Sequence, residues 1–418
     1  MKRALAGILL LGWLAGACTD RQHRNPLDPE SARPQSGLFE PLQALAGDGQ
    51  VSLSWDYTHF RDVEGYRLFR RLADQQGQFA PLNAEPLPAS TTQYVDEKVE
   101  NGTTYEYRLS LLVQGEGERF IDEIRRATPG PELAWVADRG SGLVWKISAD
   151  ASSAHFARGR FRDLADLALD RRDGSCWISD RLAGGLYRID AEGQVEPYAA
   201  RVEQPGLLEI DAGAGRGWLI DERRREVSWF RVPVPGDTLE LVGVDARFAA
   251  PVGLAAQDGG CWIADREQGR VLFYQPEGKR RIEFPNLERP GRVAAGSQGE
   301  AWALVLDGGG LVRLDQEGGF LEAELPFARA RALDVDRQEG ACWVLGEQEV
   351  AVLGANGRLM QRWTDLPGGR SLAVDEVNRR VWVGTEGTLR KLAHEGVVQA
   401  RLEGFASIVG VAVDPGAP

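Results

Sequence analysis

Cys261-Trp262-Ile263-Ala264-Asp265-Arg266 has two near-copies in the same chain, Ala134-Trp135-Val136-Ala137-Asp138-Arg139 and Cys176-Trp177-Ile178-Ser179-Asp180-Arg181. The tryptophan of this phrase recurs with a period. Trp135, Trp177, Trp218, Trp262, Trp302, Trp343 and Trp382 are separated by 42, 41, 44, 40, 41 and 39 residues. Ahead of most of them lies a second strand signal, as in Asp166-Leu167-Ala168-Leu169-Asp170, Ala332-Leu333-Asp334-Val335-Asp336 and Ser371-Leu372-Ala373-Val374-Asp375. A period near forty with several short strands per unit predicts β-propeller blades. The 287 residues from 132 to 418 divide into seven units of 41.

The phase of the repeat predicts how the ring closes. Trp135 has no inner strand ahead of it, because Thr128-Pro129-Gly130-Pro131 stands there, whereas Gly410-Val411-Ala412-Val413-Asp414 is left over at the far end. The C-terminal strand is therefore expected to complete the first blade beside Trp135, which removes free sheet edges.

Working outward from the repeat, residues 38–128 alternate at period two. Val51, Leu53 and Trp55 interleave with Gln50, Ser52 and Ser54, and strand runs follow at Gly65–Arg70 and Thr104–Leu109. This pattern predicts a β-sandwich. The whole chain is thus read as all-β, with the sandwich followed by a seven-bladed propeller. Fifty glycines, twelve tryptophans and two methionines agree with turn-rich β structure.

Three resemblances attach to these segments. Pro41, Trp55 and Asn101-Gly102-Thr103-Thr104-Tyr105-Glu106-Tyr107 resemble a fibronectin type III domain, in which Tyr105 would be the tyrosine-corner residue. The blade wording, Val-Gly-Leu-Ala then Trp-Ile-Ala-Asp-Arg then Gly-Arg-Val-Leu, resembles the NHL repeat and its SMP-30-like relatives. At the N-terminus, Lys2 and Arg3 precede an uncharged run that ends in Leu14-Ala15-Gly16-Ala17-Cys18, which resembles the lipobox of bacterial lipoproteins. That last resemblance implies cleavage of residues 1–17 as a signal peptide and diacylation of Cys18. Residues 18–37 then form a tether, and Thr19 points to outer-membrane sorting. An ordinary secretory cut near Ala17, leaving Cys18 a free thiol, is the alternative.

The chemistry is sparse by comparison. The NHL and SMP-30 resemblance implies either a binding platform or a channel enzyme with a divalent metal. Only His155 and His394 fall in the propeller, on what read as distant blades, so no metal ligand and no catalytic residue is assigned. A carboxylate-only calcium site is the one cofactor left open. Cys176, Cys261 and Cys342 each precede a blade tryptophan on alternate blades and read as buried apolar filler.

Two sets of charged residues stand out at one rim. Asp138, Asp180, Asp221 and Asp265 come three positions after the tryptophan on four successive blades. They read either as turn-forming residues or as ligand contacts. Arg292, Arg331 and Arg370 stand where inner strands begin, and suit bidentate contact with carboxylate or phosphate unless they are only solvated surface arginines. The formal net charge of −13 argues against nucleic acid as partner. The expected function is a lipid-anchored envelope platform whose rim meets a protein, glycan or anionic ligand. A metal-dependent lactonase or hydrolase, and a structural part of an envelope assembly, are the alternatives.

Overall fold

The computed structural model describes residues 40–57, 62–73, 78–198, 202–234, 236–244 and 246–415. The signal segment, Cys18 and the tether lie outside the described residues.

Alternation at period two decides the N-terminal body. Val51, Leu53 and Trp55 face inward and are buried, while their neighbours stay part-exposed. The strands Glu40–Gly47, Gln50–Asp56 and Gln93–Asp96 form one antiparallel sheet, and a five-stranded sheet built around Val63–Leu72, Tyr105–Val113 and Gly117–Ala127 covers it. Trp55 packs edge-on to Tyr66, with ring centroids 5.5 Å apart, at the centre of the core between them. The Tyr105 hydroxyl accepts the backbone N–H of Glu100 at 3.0 Å. Asn101 is a turn residue: its side chain accepts from Gly49 N–H (2.9 Å) and donates to Asp48 (2.8 Å).

From Leu133 onward the chain forms seven four-stranded antiparallel sheets among the described residues. Each runs from an inner to an outer strand. The inner strands of sheets II to VII are Leu164–Asp170, Pro205–Asp211, Pro251–Gln257, Val293–Ala295, Ala332–Asp336 and Ser371–Asp375. Sheet I is assembled from both ends of that region: Ile408–Asp414 pairs with Leu133–Asp138, with Ala412 opposite Trp135. The inner strands touch in cyclic order, and Ile408–Asp414 contacts both Ser371–Asp375 and Leu164–Asp170. This is a β-propeller with its ring closed by the C-terminal strand.

Every repeat tryptophan lies on the second strand of its sheet and is no more than 1% exposed. Each fills the space between neighbouring sheets, which explains why the period survives in the sequence: a smaller residue would leave a cavity. Cys176, Cys261 and Cys342 are buried free thiols in the same layers, and burial pushes all three above the ordinary thiol range.

Ring closure corrects one expectation. His155 and His394 stand far apart in the sequence, but sheets I and VII are neighbours, so the two histidines are on adjacent sheets rather than distant ones. His155 is spent between the two bodies, its Nε2 3.1 Å from the carbonyl of Ala46. Gly130 N–H to Gly47 O (3.1 Å) and Thr128 N–H to the Asp150 carboxylate (3.0 Å) tie the same junction, and Ala149 is buried in the sandwich core. Thr128–Pro131 therefore joins two docked bodies.

Candidate functional site

The inner strands surround a channel with a cavity of about 600 Å³. Their register gives its plan. Opposite the seven buried tryptophans stand Ala168, Glu209, Ala255, Ala294, Asp334, Ala373 and Ala412. Five sheets present the small residue that this crowded position favours, and two present a carboxylate. Two residues earlier along the inner strands come Asp166 in sheet II and Arg292 in sheet V. Three residues later come Arg171 and Arg337, and Arg370 precedes the inner strand of sheet VII. The channel thus has an acidic waist with arginines toward both mouths.

The three waist carboxylates are not equivalent. Asp166 accepts the backbone N–H of Leu208 on the next sheet at 3.1 Å. Asp334 accepts Val374 N–H, also on the next sheet, at 2.8 Å. Each satisfies an N–H that an inner strand would otherwise leave unpaired toward the channel. The Glu209 carboxylate has no hydrogen-bond partner among the described residues. Burial, reinforced by the charges of Asp166 and Asp334, pushes its pKa up to about 8, against the pull of Arg337 and Arg292. Burial also raises Asp166 and Asp334.

The sign of this shift makes a prediction. Folded Glu209 keeps its proton to about pH 8, whereas the unfolded residue ionises near 4.5. Folding therefore takes up a proton between those values, and the stability present below pH 4.5 is lost progressively as pH rises to about 8. Glu209→Gln is expected to melt with the wild type at pH 4.5 and several degrees above it at pH 9. Parallel melting curves at both pH values would remove Glu209 from the waist.

The rim residues singled out by the sequence separate into two groups. Asp138, Asp180, Asp221 and Asp265 are buried, at 1%, 1%, 7% and 0% exposure, and their carboxylates accept backbone N–H groups. Asp180 accepts N–H groups from Arg162 (2.7 Å), Asp163, Leu182 and Ala183 (each 3.1 Å). Asp138 does the same for Gly140, Ala406 and Ser407, Asp221 for Glu203, Gln204, Arg223 and Arg224, and Asp265 for Ala249, Ala250 and Gln268. Four residues after each aspartate the turn needs positive φ: Gly142, Gly184 and Gly269 supply it cheaply, and Arg225 adopts it at 58°. The turn-forming alternative is what the geometry shows for all four.

Of the arginines, Arg292 and Arg370 line the channel and Arg331 does not. Arg331 is held by Glu347 at 2.8 Å, and Arg370 lies 3.4 Å from Glu386. Arg292 is exposed and makes no side-chain hydrogen bond or ion pair among the described residues, and Arg337 is alike. At the end of the inner strands Arg171 reaches Glu376 of sheet VII at 2.9 Å. Glu209, Asp334, Asp166 and Arg337 were not singled out from the sequence. The signal was present, since aligning inner strands on the tryptophan shows two acids among five alanines.

No family model matches the sequence, and no curated protein matches it. Solved structures do. A functionally unknown protein from Desulfotomaculum acetoxidans superposes with a TM-score of 0.57 at 12% identity, covering 68% of this chain and 99% of that one. Apo AztD from Citrobacter koseri gives 0.52 at 12%, covering 68% and 97%. Catalytically inactive virginiamycin B lyase from Staphylococcus aureus, with quinupristin, gives 0.50 at 13%, covering 57% and 84%. At such identities the likeness is one of fold. It places this chain among the β-propeller proteins.

Proposed function

We propose that the chain is a lipid-anchored protein of a bacterial cell envelope, held at the outer membrane through Cys18. It presents a fibronectin type III-like domain and an NHL-like seven-bladed propeller as a binding platform. The ligand, a small molecule, glycan or protein segment, offers a carboxylate or phosphate to the channel. The observation that carries this reading is Arg292: an exposed guanidinium without an ion pair at the wall of a cavity, with Arg337 alike beyond the waist. A guanidinium placed so can take a bidentate anion. Protonated Glu209 adds a hydrogen-bond donor between them at neutral pH.

A non-catalytic role is favoured by the lining. In the S. aureus lyase, replacing one histidine by alanine gives an inactive protein, and no histidine lines this channel among the described residues. Nor do three channel carboxylates stand close enough to share one metal ion, among the described residues.

The test is affinity capture from the native envelope with the lipidated protein, with bound metal assayed on the same sample. The Arg292→Ala/Arg337→Ala double variant is expected to retain its melting temperature and to bind whatever is captured at least tenfold more weakly. Equal binding by the variant would overturn the assignment of the channel. A second reading rests on Glu209, because an acid that keeps its proton to about pH 8 in a cleft suits general acid–base work. Turnover of lactones or esters, lost in Glu209→Gln, would establish that hydrolase in place of the platform.

A further inference from the structure

Away from the channel, the turn after the inner strand of sheet VI meets the outer hairpin of sheet VII. Three donor-bearing residues come together there. Asp336 is buried, and its Oδ1 accepts the backbone N–H groups of Gln338 (2.9 Å) and Glu339 (3.0 Å). That leaves Oδ2 directed at the imidazole of His394, 3.8 Å from Nε2. Glu339 Oε2 lies at the same 3.8 Å from that nitrogen. The imidazole stands edge-on to Trp343, with centroids 5.1 Å apart and planes at 74°, which fixes its orientation.

His394 Nε2 is enclosed and has no hydrogen-bond partner. A buried ring nitrogen is normally bonded, so an orphan one aimed at two carboxylate oxygens calls for an explanation. At 3.8 Å neither oxygen is a hydrogen-bond partner. The spacing is that of donors around a common centre: one atom from each of the three residues lies within 4.8 Å of the other two. Donors about 2.1 Å from a tetrahedral ion stand about 3.4 Å apart, so each carboxylate oxygen would have to approach His394 Nε2 by about 0.4 Å.

We propose that Asp336, Glu339 and His394 form a binding site for a divalent transition-metal ion of the zinc class, joining sheets VI and VII. The imidazole selects such an ion over calcium, which takes six to eight oxygens. Two carboxylates balance the charge of the ion. Glu339, with its side chain 40% exposed, opens the fourth position to water. Arg379 is the competing cation, since it holds the other oxygen of Glu339 at 3.1 Å. None of the three residues lines the channel cavity.

The experiment is a titration of the full chain with Zn²⁺, followed by the ¹⁵N shifts of selectively labelled histidine and by melting temperature. Four histidines make the spectrum assignable. One equivalent is expected to shift the His394 ring resonances, and Zn²⁺ but not Ca²⁺ should raise the melting temperature. His394→Gln and Glu339→Gln should each weaken the binding at least tenfold; the second, at a part-exposed position, guards against a folding defect in the first. Undiminished binding in both variants would overturn the site. So would a His394 ring that gains a proton on acidification and ignores Zn²⁺, since that identifies an imidazolium ion pair instead.

Discussion

Deletion of residues 408–418 is expected to abolish cooperative folding of the propeller. The strand Ile408–Asp414 is the inner strand of sheet I, and it contacts the inner strands on both sides of it. Ile408, Val411 and Val413 are buried at 0%, 8% and 4% exposure. Three buried aliphatic side chains are worth on the order of 5 to 9 kcal/mol before the ladder to Leu133–Asp138 is counted. Total stabilities of domains lie at about 5 to 15 kcal/mol, so the loss is comparable with the whole. The remaining edge of Leu133–Asp138 would also be open to pairing with another chain. The truncated protein should therefore aggregate or show no sharp thermal transition by circular dichroism. A monomer melting within about 5 °C of the intact chain would show that the closure contributes little.

Asp180→Ala should be the most damaging single substitution among the four buried turn aspartates. Its carboxylate satisfies four backbone N–H groups, two at the start of sheet II and two in its own turn, so one side chain fastens the inner strand to the second strand. Removing it leaves donors without partners in a site that is 1% exposed. Unsatisfied buried donors cost about 1–3 kcal/mol each, but water can reach part of the vacated space, and a net loss of about 3 kcal/mol is expected. For a chain of this size that lowers the melting temperature by roughly 6–12 °C. Asp180→Asn, which keeps one acceptor oxygen, should lose less. Glu222→Ala is the control: its partner Arg181 is an ion pair at the surface, worth less than about 1 kcal/mol. If the aspartate were a ligand contact, Asp180→Ala would fold with full stability, and denaturant melts separate the two outcomes.

These two variants mark where the sequence could be read and where it could not. The repeat was legible because each Trp fills the same gap between sheets, and a gap of fixed shape permits few substitutes. The strand left over at the C-terminus was legible for a related reason: a blade missing its inner strand needs one from elsewhere. The aspartates were equally visible as a pattern, but the pattern alone is the same for a ligand rim and for a turn. Backbone N–H groups do not show in a sequence. Only their convergence on Asp138, Asp180, Asp221 and Asp265 separates the two readings.

The channel was hidden for a different reason. Glu209 and Asp334 interrupt a column of alanines, yet that column exists only once the inner strands are aligned on their tryptophan partners. Arg331 and Arg370 occupy the same position in their repeats, yet Glu347 holds the first outside the channel and the second lines it. A local pattern specifies strands, turns and the period of a ring, because backbone geometry repeats with it. Which side chains share the channel depends on closure of the ring, and the packing of sheet VI on sheet VII brings Asp336 and Glu339 to His394, more than fifty residues away. By itself the sequence determined an all-β chain with a propeller and the strand that closes it. The tertiary structure alone decided which charged residues face the channel, which are consumed by backbone, and which three donors surround a common centre.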